Sequence, residues 1–259
     1  MRTCLLLFLP LSLFGQLSVK LKPETVREFD KYVNASEASM EKRWSGELPF
    51  LFMDEQPADK AGARSGDVFI RQLSPKGGRK VSGGIIHDWS AGTFIKGATL
   101  EQATSLITDF NRHKKVYPEV VESYVKLRNG NVSRGFLRLA KKKVLTVVLN
   151  SEYEVRTTQI SPTRAYTVSH SIKINEIDDA GTKTERELPA GEGHGFLWRL
   201  NAYWRFEATP EGVYAECQAI TLTRDVPSGL AWMINPFIQD MPRESLRNTL
   251  EATRAALAR

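Results

Sequence analysis

The sequence predicts an α+β fold in which a seven-stranded, curved antiparallel sheet grips a long C-terminal helix, with a short helical insertion after the first strand. Three observations predict it. After one strand and one helix, residues 120–224 read as strands joined by the turns Asn129-Gly130-Asn131, Ser161-Pro162-Thr163 and Thr209-Pro210-Glu211-Gly212, which makes neighbours antiparallel. The chain then ends in one apolar stripe, with Leu230, Ile234, Phe237, Met241, Leu246, Leu250 and Leu257 at mostly three- and four-residue spacing. A lone amphipathic helix of that length needs a large apolar surface to cover, and the sheet is the only candidate.

Taken in order, Met1-Arg2-Thr3, the apolar run to Phe14 and then Gly15 have the layout of a secretory signal peptide over residues 1–15, which predicts export to a periplasm or the outside. The apolar run is too short to span a bilayer, and an uncleaved anchor is the alternative. Cleavage removes Cys4 and leaves Cys217 as a buried thiol, so no disulfide framework is expected. Residues 16–83 form an N-terminal extension with an amphipathic helix over Pro23–Trp44, whose stripe is Val26, Phe29, Val33, Met40 and Trp44. The turn Ser74-Pro75-Lys76-Gly77-Gly78 and a short strand within residues 67–73 follow.

The main domain is expected over residues 84–259. A strand over residues 85–96 leads into a helix opened by the capping box Thr99-Leu100-Glu101-Gln102 and stopped at Tyr117-Pro118. The remaining strands are expected at 120–128, 132–140, 144–157, 164–175, 195–208 and 213–224. Pro236 and Pro242 predict a kink that divides the final helix into a short first piece, able to move as a gate, and a longer packed second piece.

The formal charge of +6 is unevenly spread: residues 112–143 hold ten Lys or Arg against Glu119 and Glu122. Within that block Lys126, Arg128, Arg134 and Arg138 project together as an outer patch, either a solvated face or a surface for an anionic membrane or an acidic partner. Nucleic acid is not expected, because the block lacks regularly interleaved aromatics.

Two junctions carry a more specific signal. Asp109-Phe110-Asn111-Arg112-His113 running to Tyr117-Pro118-Glu119-Val120-Val121 resembles the helix-to-strand junction of bacterial members of the START-like helix-grip superfamily (SRPBCC). Gly212-Val213-Tyr214 to Arg224-Asp225-Val226-Pro227, then Pro242-Arg243-Glu244-Ser245-Leu246, resembles their last strand and helix. The resemblance covers residues 84–259 and implies a helix-grip fold shared with lipid-transfer domains, the birch pollen allergen and polyketide cyclases. It says nothing about residues 16–83.

Period-two alternation gives the expected inner faces. The first strand offers His87 and Trp89; the long middle strand, Leu145, Val147, Leu149, Tyr153 and Val155; its neighbour, Tyr166, Val168, His170, Ile172 and Ile174; and the strand after the long loop, Phe196, Trp198, Leu200, Trp204 and Phe206. The candidate ligand contacts are His87, Trp89, Tyr153, Tyr166, His170, Trp198, Trp204 and Phe206, with core packing as the alternative role. The last strand is open between Val213, Ala215, Cys217 and Ala219 facing in and Tyr214, Glu216, Ile220 and Leu222 doing so; a buried Glu216 must be paired. No catalytic motif, phosphate loop or metal-ligand spacing stands out, and no cofactor is expected. The leading expectation is a binder or carrier of an apolar small molecule such as a lipid. The alternatives are a cyclase/aromatase-like enzyme using a histidine such as His170, or an envelope interaction module with a filled core.

Overall fold

The computed structural model describes residues 18–142, 146–225 and 241–258. The expected signal segment, Leu145 and residues 226–240, with Pro236 and the first piece of the predicted terminal helix, lie outside the described residues. Chain order begins with β1 (Val19–Lys20), α1 (Pro23–Trp44), a 3-10 turn at Phe52–Glu55, α2 (Pro57–Arg64), β2 (Phe69–Gln72) and β3 (Arg79–Val81). There follow β4 (Gly84–Lys96), α3 (Leu100–Thr108), α4 (Phe110–Val116), β5 (Val120–Asn129), β6 (Val132–Lys142), β7 (Thr146–Ser161) and β8 (Arg164–Asp178). The last elements are β9 (Arg186–Glu187), β10 (Glu192–Gly193), β11 (Arg199–Thr209), β12 (Gly212–Arg224) and α5 (Met241–Leu257).

The main sheet is antiparallel and runs β2-β4-β12-β11-β8-β7-β6-β5, with β3 also on β4 and β9 on β8; β1 and β10 pair separately. Among the described residues it therefore has ten strands rather than seven. The seven long strands are those the turns announce, and the difference is the extension's β2 and β3 on the edge of β4 and the short β9. The expected insertion helix is two helices. Thr99 Oγ1 accepts from the Gln102 amide at 3.2 Å and Gln102 Oε1 from the Thr99 amide at 3.0 Å, which starts α3. At Asp109 the backbone turns to φ −93°, ψ 79°, leaves the helical region, and α4 begins afresh at Phe110.

The inner face of the sheet receives α5. Leu246, Leu250, Thr253 and Leu257 are its buried stripe. Leu246, Leu250 and Leu257 pack with Ala103, Leu106 and Ile107 of α3 and with Ala91, Ile95, Trp204, Phe206, Val213, Ala215 and Cys217 of the sheet. Each fully buried leucine stabilises the grip by about 1.5–3 kcal/mol. Pro242 sits at the second residue of α5, where its missing N–H breaks no helical hydrogen bond.

The outer face is covered by the extension, which makes the molecule three layers deep. Phe29, Val33 and Met40 of α1 pack on Ile86, Trp198, Tyr203, Ile220 and Leu222. Farther along, Phe50, Leu51, Met53 and Ala63 cover Phe94 and Tyr214. Polar contacts fix the position of this layer. The Glu216 carboxylate accepts from the backbone amides of Phe52 at 3.0 Å and Met53 at 3.1 Å, and from Arg205 Nε at 2.9 Å, with both side chains fully buried. Asp88 accepts from Tyr32 Oη and from Gln218 Nε2, both at 2.9 Å. Trp44 stacks on Tyr166 with ring centroids 4.0 Å apart.

The last strand is thereby settled: Val213, Ala215, Cys217 and Ala219 face α5, and Tyr214, Glu216, Ile220 and Leu222 face the extension.

Two predictions follow from this outer layer. Glu216→Leu strands the buried Arg205 charge, and urea unfolding is expected to show a loss of about 3–5 kcal/mol; a loss under about 1 kcal/mol would contradict the pairing. Burial raises the Asp88 carboxyl to about 6, against the lowering effects of Gln218, Tyr32 and Arg205. The folded chain thus holds this proton to higher pH than the unfolded chain, and the associated stability is complete below pH 3.8 and lost as pH rises through about 6. Asp88→Asn should therefore gain on the wild type by about 2–3 kcal/mol between about pH 4 and pH 7, and parallel stability profiles would contradict it.

Candidate functional site

Between the inner face and α5 lie two adjoining chambers, of about 230 Å³ and about 220 Å³. Both are lined by Glu119, Leu139, Leu200, Ala202, Trp204, Ser245 and Thr249. The space has a local cause in the strand register. Ala202 of β11 pairs with Ala219 of β12, and Trp204 pairs with Cys217, so small side chains sit together beneath a helix spaced by the leucines of its stripe. The first chamber adds Trp89, Val147, Leu149, Phe196, Thr221 and Met241. The second adds Phe110, His113, Tyr117, Val120, Leu137, Tyr153, Val155 and Ser169. Gly135 of β6 lets Phe110 lie flat against that strand, since a Cβ there would stand 2.0 Å from the ring.

A polar crossing marks the boundary of the chambers. Glu119, between α4 and β5, accepts from Ser245 Oγ of α5 at 2.8 Å and from Asn248 Nδ2 at 3.4 Å, and it pairs with Lys141 of β6. Lys141 also reaches Glu244 of α5 at 3.1 Å. Burial depresses the Lys141 ammonium, but hydrogen bonding and charge from Glu119 and Glu244 overcome this and hold it above its ordinary value. The crossing thus ties α5 to the far strands of the sheet while staying charged. The sequence offered one signal for it, a glutamate within the basic block, but gave no sign of the lysine or helix residues it would meet.

Three buried polar atoms of the chambers, Trp89 Nε1, Thr221 Oγ1 and Tyr153 Oη, have no hydrogen-bond partner of good geometry among the described residues. Burial pushes the Tyr153 hydroxyl up to about 12, and its neighbour Ser151, which lowers it weakly, already donates to the Leu137 carbonyl at 2.9 Å. His113 is committed to structure, its Nε2 lying 3.0 Å from the Leu106 carbonyl oxygen. Burial pushes the Cys217 thiol up as well, which keeps it protonated and inert. Among the described residues no cluster of three or more metal-ligating side chains is assembled, and no helix is long and apolar enough to cross a membrane.

The expected contacts divide. Trp89 lines the first chamber, Tyr153 the second, and Trp204 both. Phe206 stacks behind Trp204, centroids 5.7 Å apart, in the core and off the chamber walls. His87 faces inward but opens on a separate pocket at the rim, beside Trp89. Tyr166, His170 and Trp198 lie on the opposite face of the sheet. In the β8–β11 register Tyr166 pairs with Arg205, Val168 with Tyr203 and His170 with Asn201, which places that alternating set under α1. His170 Nε2 sits 2.7 Å from Glu37 of α1, and Trp198 packs with Phe29 and Val33. The inner set on β8 is Ala165, Thr167 and Ser169; a bulge near Ile172 then returns Ile174 to the inner face.

The residues of the expected outer basic patch each have a carboxylate nearby. Lys126 pairs with Glu152 at 2.7 Å, Arg128 with Asp109 at 3.8 Å, Arg134 with Glu154 at 2.7 Å and Arg138 with Glu185 at 2.9 Å. Carboxylates remote in sequence offset the local excess of positive charge.

A split helical insertion, a meander of long antiparallel strands and a terminal helix held against one face define the architecture. The chain has a helix-grip architecture. No family model and no curated protein matches its sequence. Among solved structures it is similar to the STAR-related lipid transfer protein of Xanthomonas axonopodis, at 14% identity and a TM-score of 0.46, over 73% of this chain and 99% of that one. Human STARD10 is similar at 11% identity and a TM-score of 0.41, over 77% of each chain. The Zhui aromatase/cyclase of a Streptomyces species is similar at 10% identity and a TM-score of 0.41, over 73% of this chain and 94% of that one. The extension on the outer face gives this helix-grip chain its third layer.

Tyr153→Phe removes a buried hydroxyl that lacks a good partner, so thermal or urea unfolding should show unchanged stability or a gain of up to about 1 kcal/mol; a loss beyond about 1 kcal/mol would show that the hydroxyl is satisfied.

Proposed function

We propose that this protein binds and carries an apolar small molecule, of lipid type, in the two chambers between the sheet and α5. The observation that carries the reading is the paired small residues Ala202 and Ala219 beneath α5, which leave apolar space next to the aromatic wall of Trp204. Ligand pockets commonly measure roughly 300–1,000 Å³; each chamber alone falls short of that range and the two joined fall within it. Trp89, Thr221 and Tyr153 offer a few polar points for orienting a guest. The N-terminal signal layout supports an activity outside the cytosol as part of this proposal.

His170, the histidine named for the cyclase-like alternative, is on the outer face against Glu37, which weighs against that reading. The two chambers favour a carrier over a module with a filled core. An anionic membrane surface is not part of the proposal, since Lys126, Arg134 and Arg138 are paired with carboxylates at 2.7, 2.7 and 2.9 Å.

Titration with an environment-sensitive naphthylamine probe tests the reading. The wild type should bind it saturably, and Ala202→Trp, which fills the space both chambers share, should weaken binding by about tenfold or more while circular dichroism is unchanged. If the larger side chain perturbs folding, Ala202→Leu serves in its place. Unchanged affinity in a folded variant would contradict the proposed location.

A further inference from the structure

Beside the apolar chambers, at the rim where α5 meets β4, lies a separate surface pocket of about 420 Å³. Its walls include His87 and Trp89 of β4 and Arg243, Glu244 and Arg247 of α5. Trp89 is common to this pocket and to the first chamber, so one indole has apolar space on one side and a charged rim on the other.

The rim is built for negative charge. Arg243 and Arg247 stand one helical turn apart and both line the pocket, presenting two guanidinium groups to the same space. Arg247 has a contact with Glu251 at 3.8 Å, too long for a good hydrogen bond. Glu244, the carboxylate among the described residues that line this rim, is paired with Lys141 at 3.1 Å. His87 is only 1% exposed, and its Nε2 is buried with no hydrogen-bond partner among the described residues. Its ring is fixed from the other side by the glycine turn before β3. Gly78, at φ +89°, approaches so closely that a Cβ there would come within 2.9 Å of His87 Nδ1. Burial keeps the imidazole neutral down to about pH 4, so an Nε2–H tautomer can donate one hydrogen bond beside the two arginines.

We propose that this rim pocket takes the acidic group, a carboxylate or phosphate monoester, of the same apolar molecule whose body fills the inner chambers. The inference rests on the carrier reading and narrows its ligand class to acidic amphiphiles. Guanidinium groups suit both acids because their paired N–H donors match two oxygens of a carboxylate or phosphate. The unpartnered His87 Nε2 supplies a further donor, and the Trp89 indole separates the polar group from the apolar body.

Isothermal calorimetry on the full chain tests the link with three probes: dodecanoate, its methyl ester and inorganic phosphate. Dodecanoate should bind about tenfold or more tightly than the ester, because only the acid makes charge-assisted contacts to the rim. In the Arg243→Ala/Arg247→Ala double variant that advantage should vanish while ester affinity stays unchanged, and the ester also reports that the cavity remains intact. Equal affinities for acid and ester in the wild type would overturn the rim assignment and leave the carrier reading standing. Binding of neither dodecanoate nor ester would overturn both. Inorganic phosphate binding as tightly as dodecanoate, and lost with the arginines, would mark a site for free anions and overturn the proposed link to the chambers.

Discussion

A sheet with apolar side chains on both faces has to be covered on both, and this constraint organises the molecule. α5 alone covers only one. The extension covers the other, and it does so densely: Phe29 and Met40 are 2% exposed, while Leu51 and Met53 are fully buried. The Arg205–Glu216 pair shows how complete that cover is: two opposite charges lie at zero exposure, where the carboxylate needs its hydrogen bonds engaged, and the two Nη atoms of Arg205 have no hydrogen-bond partner of good geometry among the described residues. Glu216 meets the requirement with Arg205 and with the amides of Phe52 and Met53, so the ion pair also fixes where the extension lies.

With the outer layer closely packed, the inner layer can hold space. Empty apolar volume weakens a core, since its lining atoms lose dispersion contacts. Here the loss is confined to the Ala202–Ala219 pair and its surroundings, while the lower part of α5 remains seated through Leu250 and Leu257. The charged crossing from Glu119 and Lys141 to Ser245 and Glu244 ties the upper part of the same helix to the opposite side of the sheet. Helix position is therefore held at two ends, by apolar packing and by charge, with the chambers between them.

The parts of this fold that depend on neighbours in sequence were legible. The stripe of α1 matches Pro23–Trp44, the Thr99–Gln102 capping box starts α3, and the turns at Gly130-Asn131, Pro162-Thr163 and Pro210-Glu211 separate long strands. The parts that depend on partners far along the chain were not. Alternation states which residues share a face but not which layer that face meets. The set Tyr166, Val168 and His170 alternates as well under α1 as it would have in a cavity, and the bulge near Ile172 breaks the pattern. Both faces of β12 carry apolar residues because both are buried, which is why its orientation was open. The basic block was legible as a local excess of charge but its partners were not, because Glu152, Glu154 and Glu185 reach it from other strands and loops. At the candidate site the aromatics Trp89, Tyr153 and Trp204 were legible as large residues at inward positions, whereas Glu119 and Lys141 required the third dimension.

The most direct measurement of the central claim is mass spectrometry of an organic extract of the purified full-length chain, compared with a matched preparation of Ala202→Trp. A carrier with space beneath α5 should release one apolar species reproducibly, near one molecule per chain, and the filled variant should release far less. No apolar species, or equal recovery from both preparations, would contradict the account.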